Sequence, residues 1–148
     1  ERTLTADLGP NFEALIDDLN ASKKGLASQE ILINNTAAPG AAFLSIMSVY
    51  DIVLGKANSS VLSDLFLSGG ILAVEAEGDK EIGNWTAIDS TGKNVTVHTM
   101  ITKDEKVSPV GNVYDIAVWN LDKSTYVVMT SLLGRNDTAQ MIKTLAIN

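Results

Sequence analysis

The chain has 148 residues, 18 acids against 11 bases, a formal charge of -7, one histidine and no cysteine. That length is the usual size of one domain, residues 1–148, and large enough to fold without a staple. The missing cysteines exclude disulfides, thiolate zinc sites, cysteine nucleophiles and iron–sulfur clusters, and the acidic balance argues against binding that depends on neutralising nucleic-acid phosphates.

Taken in chain order, Leu8, Phe12, Leu15, Ile16 and Leu19 recur at helical spacing, with Pro10 suited to a first turn and Gly25 to a stop. They predict a helix over residues 9–22. Residues 29–34 read as a short extended run and residues 35–40 as a loop. Residues 43–53 carry apolar side chains on both alternating faces, as in a central strand covered on both sides. Ser59 or Ser60 is placed to cap a short helix to residue 67, closed by Gly69-Gly70, and residues 71–77 read as a strand.

Two hairpins follow. Residues 85–88 and 95–101 flank the turn Ser90-Thr91-Gly92-Lys93, and residues 113–119 and 125–130 flank a turn over residues 120–123. In the first hairpin Val95, Val97 and Ile101 oppose Asn94, Thr96 and His98, the pattern of a strand with one wet face. Asn136 or Asp137 is placed to cap a last helix, with Gln140 completing a capping box after Asp137. Leu145 and Ile147 end the chain in a short strand. The pattern predicts an α+β domain, an antiparallel β-sheet flanked by helices.

The polar residues are not distributed at random. Asn20, Asn34, Asn58, Asn84, Asn94 and Asn136 each begin an Asn-x-Ser/Thr sequon with x other than proline. Ser and Thr are about one residue in six, and ten asparagines have a residue two places on, so chance gives roughly 1.6 matches. All six fall in segments read as exposed, as the bulk of a glycan requires. The competing explanation is that Asn, Ser and Thr gather at turns and caps for their own hydrogen bonding.

Catalytic chemistry is sparsely provided for. His98 is the only histidine, which excludes metal sites built from two or three imidazoles. It lies on a regular hairpin arm, and the chain has no Gly-x-Ser-x-Gly elbow to supply a serine nucleophile. Gly92-Lys93 lacks the upstream glycine of a phosphate-binding loop and joins two strands. Glu75, Glu77 and Asp79 alternate, so an extended segment would put three carboxylates on one face, as a hard cation requires. The solvated outer face of a strand is the preferred account of them, since no loop has an EF-hand pattern and the other face carries Leu72, Val74 and Ala76. Trp85 and Trp119 stand at hairpin ends and read first as core anchors, with a platform for a partner or a sugar as the alternative.

The order of elements resembles the PsbP-like fold: an apolar strand, a short capped helix, a run of hairpins, then a closing helix and strand. The closing segment Tyr126-Val127-Val128-Met129-Thr130-Ser131, residues 137–143 and Thr144-Leu145-Ala146-Ile147 is the most similar part. The family's early glycine-containing strand and Pro-x-x-Trp stretch are absent. The resemblance implies a PsbP-like sandwich and a non-enzymatic accessory or binding role, in several members outside the cytoplasm or at a membrane. It carries over no functional residue.

Together these readings predict a non-catalytic, secreted or cell-surface accessory domain that needs no cofactor and binds a protein or envelope partner. The chain opens on Glu1 rather than methionine, as a processed or trimmed form does, and no apolar run is long enough to span a membrane. The alternatives are a small-ligand or cation-binding domain, using Glu75, Glu77 and Asp79 or a pocket beside Trp85 or Trp119, and a carboxylate-based hydrolase.

Overall fold

The computed structural model describes residues 4–5, 10, 12–17, 27–37, 40–48, 75, 78–102, 112–122 and 125–147. Their elements are β1 (Leu4–Thr5), β2 (Phe12–Asp17), β3 (Ala27–Asn35), β4 (Ala41–Ser48), β5 (Lys80–Ile88), β6 (Asn94–Ile101), β7 (Val113–Asn120), β8 (Thr125–Ser131), α1 (Arg135–Thr144) and β9 (Ala146–Ile147). Seven strands form an antiparallel sheet in the order β2-β3-β4-β8-β7-β6-β5, and β1 pairs with β9 in a separate two-stranded sheet.

Burial follows position in that order. The inner strands β7 and β8 are buried along almost their whole length, which is why they read as apolar runs with little alternation. At the edge, β5 is exposed except at Trp85 and Ala87. One face of the sheet carries Ile31, Ile33, Leu44, Ile46, Val97, Trp119, Val127 and Met129, which form a single core with Met141, Ile142 and Leu145. Thr138, Met141 and Ile142 supply the buried stripe of α1. On the second face Met100, Tyr114 and Ile116 form a smaller buried cluster with Leu132 beside it.

Both expected hairpins are present, and β4 coincides with the first part of the predicted central strand; residues 49–53 lie outside the described residues. The flanked α+β sandwich is corrected. Among the described residues the fold is a seven-stranded antiparallel sheet with a single short helix, α1. The expected helix over residues 9–22 is overturned where it is described, because Phe12–Asp17 is the edge strand β2, paired from Phe12↔Asn35 to Asp17↔Glu30. Over six residues, apolar positions at 12, 14, 15 and 16 satisfy a period of 2 as well as one of 3.6, and the β3 ladder decides between them. The expected helix over residues 60–67 lies outside the described residues.

Two smaller corrections follow. Glu75 has helical backbone where a strand over residues 71–77 was expected, and the Gly78 N–H donates to its carbonyl at 2.9 Å. The last helix begins at Arg135, with Gly134 at φ 91° as its N-cap and no side-chain capping bond, so neither Asn136 nor Asp137 caps it. The Gly134 carbonyl accepts the first helical bond, from Thr138 N–H at 3.0 Å. Asp137 instead adds a negative charge to the first turn, where the helix dipole favours it.

Candidate functional site on the β5–β6 hairpin

The hairpin is set by its turn. Asp89 N–H donates to the Lys93 carbonyl and Gly92 N–H to the Asp89 carbonyl, which leaves Ser90-Thr91-Gly92 as a three-residue loop. Gly92 takes φ 87°, the left-handed position such a loop requires. Asp89 Oδ1 accepts from Thr91 N–H at 2.9 Å, Thr91 Oγ1 at 2.7 Å and Lys93 N–H at 2.9 Å, while Oδ2 pairs with Lys93 Nζ at 3.0 Å. Burial pushes this carboxyl up, but the bonds from Thr91 and Lys93 outweigh it and hold it below the usual aspartate value. Lys93 Nζ also donates to the Asn120 carbonyl at 2.6 Å, which ties the loop to the end of β7.

From that turn the register runs Ile88↔Asn94, Thr86↔Thr96 and Asn84↔His98. Asn84, Thr86, Ile88, Asn94 and Thr96 are all exposed, whereas Ala87, Val95 and Val97 between them are buried. Two complete sequons therefore present their asparagine and threonine on one wet face. Asn84, Asn94 and Asn136 are exposed, and among the described residues their side-chain amides make no hydrogen bond to another residue. Asn34 differs: it is half-buried in β3, and its Nδ2 donates to Glu13 Oε1 at 3.3 Å. Asn20 and Asn58 lie outside the described residues.

Beyond Asn84 the ladder shifts register between Glu81 and Gly83. There Glu81 Oε1 lies within hydrogen-bond reach of His98 Nδ1, and the Tyr114 hydroxyl donates to Asp79 Oδ2. The one histidine is thus engaged by a carboxylate on a half-exposed strand face. Glu75 and Asp79 do not form an alternating row on one strand, because Glu75 is helical; Glu77 lies outside the described residues. Among the described residues no group of three or more acids and histidines is arranged to hold a metal ion.

On the opposite face the two tryptophans separate. Trp119 is only 2% exposed and belongs to the main core. Trp85 is half-buried on the edge strand, with the Arg135 guanidinium 4.9 Å above its ring centroid and its indole N–H toward Asp115 Oδ1 at 3.4 Å. Thr99 Oγ1 donates to the same Asp115 oxygen at 2.7 Å. Asp89 and Asp115 are buried acids, but Asp89 is consumed by its own turn and Asp115 by Thr99 and Trp85.

The contacts of Asp115 with Thr99 and Trp85, and of Trp85 with Arg135, were not anticipated from the sequence. Asp115 lies in an apolar run, and that misplaced charge was the only sign that it meets polar partners.

No protein-family model matches the chain, and no curated protein matches it significantly. Among solved structures the chain is similar to the solution structure of cyanobacterial PsbP from Synechocystis sp. PCC 6803, at 12% identity and a TM-score of 0.40, over 88% of this chain and 79% of that one. Nothing about chemistry follows from a likeness of that degree. No helix among the described residues is long and apolar enough to cross a membrane.

Proposed function

We propose that this is a non-catalytic accessory domain that works outside the cytoplasm, carries N-linked glycans and binds a protein or envelope partner. The observation that carries the reading is the state of three acceptor amides. Asn84, Asn94 and Asn136 are exposed and unbonded within their sequons, so a glycosyl group can be attached to each Nδ2 without breaking a contact. Asn34, whose Nδ2 is bonded to Glu13, is the poorest of the described acceptors. The engagement of His98 by Glu81, and of Asp89 and Asp115 by hydrogen-bond donors, supports a binding role over a hydrolytic one.

Intact-mass and glycopeptide measurements on protein from its native source test this. The expected result is added mass on peptides containing Asn84, Asn94 and Asn136. A mass equal to that of the bare chain removes the glycoprotein reading.

A further inference from the structure

Among the described residues the seven-stranded sheet has two edges, β2 and β5, and they differ in kind. An open edge offers unpaired backbone donors and acceptors to any passing strand, and proteins blunt it with charge, proline, a bulge or a cover. Strand β2 reads Phe-Glu-Ala-Leu-Ile-Asp, with two carboxylates in six residues and no sequon within it. Strand β5 begins Lys-Glu and has its register shift at once, between Glu81 and Gly83. From Asn84 to Ile88 it then reads Asn-Trp-Thr-Ala-Ile, with no charge, no proline and no further shift. It also exposes apolar surface, with Ile82 at 55% and Ile88 at 47%. A regular, uncharged, partly apolar edge is the kind that associates.

The two exposed sequons of the hairpin lie at this uncharged stretch. Asn84 begins it, and Asn94 stands directly opposite Ile88. Both amides are free of hydrogen bonds and exposed. A glycan is bulky and solubilising. On Asn84 it stands beside the edge backbone of β5, and on Asn94 it stands next to Ile88. We infer that glycans on Asn84 and Asn94 are the cover of the β5 edge and keep it from pairing with the β5 edge of a second copy. This inference rests on the glycoprotein reading, and it assigns to two of the six sites a structural purpose that Asn136, on the helix, does not share.

The test compares the full chain, made in a glycosylating secretory host, with its N84Q/N94Q and N136Q variants. Site occupancy is read by glycopeptide mass and assembly by light scattering on a sizing column, with circular dichroism reporting the fold. The expected result is a concentration-dependent rise in mass for folded N84Q/N94Q, none for N136Q, and reversal when Ile88→Lys is added. If both sites are occupied and N84Q/N94Q shows the same assembly state as the parent, the inference is wrong and the glycoprotein reading stands. If association survives Ile88→Lys, the β5 edge is not the surface responsible and the inference again fails. If all sites are empty in native protein and in the host, both readings fail together.

Discussion

Thr86 on β5 and Thr96 on β6 stand directly opposite each other in the antiparallel ladder, both exposed. The pairing turns two sequons that run in opposite directions onto one face. Asn84 pairs with His98, four residues along β6 from Asn94, so the two acceptors lie about 14 Å apart along the strands at roughly 3.4 Å per residue. A slip of one residue would turn one of the two sequons toward the core.

Thr86→Val is therefore expected to abolish modification at Asn84 alone, and Thr96→Val at Asn94 alone, while serine at either position preserves it. Both sites are on the wet face, so the stability of each valine variant stays within about 0.5 kcal/mol of the parent. Glycopeptide mass and a urea melt check the two halves of this statement.

Asp89 organises the hairpin turn, and its loss leaves the Thr91 and Lys93 donors unsatisfied. Asp89→Ala is expected to cost about 1–3 kcal/mol. Because the folded carboxyl ionises below its unfolded value, its stabilisation is complete above the unfolded value near 4 and is lost as pH falls through the folded one. Urea midpoints of parent and Asp89→Asn, measured from pH 7 to pH 2, should differ most at neutral pH and converge in acid. A gap that is constant with pH would contradict the ionised turn.

Gly92 and Gly83 separate backbone freedom from space. A Cβ at either position meets nothing within 4 Å, but only Gly92 has positive φ, at 87°. Gly92→Ala is expected to lower stability by about 1 kcal/mol through the left-handed conformation alone. Gly83→Ala is expected to be neutral or to stabilise by about 0.5 kcal/mol through the unfolded state. Thermal melts of the two variants should thus move in different directions or by clearly different amounts.

Ser131 on β8 and Thr138 on α1 share a buried hydroxyl pair at 2.8 Å, and the Leu133 N–H also donates to Ser131 Oγ at 3.2 Å. The pair fastens the helix to the sheet just after the strand ends. Thr138→Val keeps the shape and removes the partner, at an expected cost of about 1–3 kcal/mol. The Ser131→Ala/Thr138→Val double variant should cost less than the two single changes added together, by about 0.5 kcal/mol or more. Simple additivity in denaturant melts would mean that the two hydroxyls do not interact.

Much of this architecture is legible because its contacts are local. The β5–β6 hairpin is announced by alternation on both arms and by Asp89, Thr91 and Gly92, whose turn bonds lie within five residues. The β7–β8 hairpin is announced by two apolar runs and the polar turn between them, with Asp122 Oδ1 accepting from Thr125 N–H at 2.9 Å. Where the deciding partner is distant, local patterns mislead. Phe12–Asp17 has a helical stripe, yet its ladder with β3 makes it a strand. At residues 134–138 the polar run Asn136-Asp137-Thr138 looks like a cap, but Gly134 reaches positive φ and starts the helix earlier.

Trp85 and Trp119 show the same division. Each lies in a hairpin arm, and both side chains point to the helix-bearing face. One strand is at the edge of the sheet and the other is inside it, so one ring is half-buried under Arg135 and the other is 2% exposed. The apolar run around Trp119 and the polar one around Trp85 carry part of that difference, and the strand order supplies the rest.

Composition alone closed the routes that need cysteine or several histidines, and local spacing alone located six sequons and two hairpins, because those properties depend on residue identity and on neighbours in the chain. The tertiary structure decided the strand order, and with it which of the described strands lie at the sheet's edges and which of the described asparagines are exposed. It also decided that Asp115 meets Thr99 and Trp85 instead of lying unpaired in a run of apolar residues. Burial and edge position are properties of contacts between segments far apart in sequence, and only closure of the sheet brings those segments together.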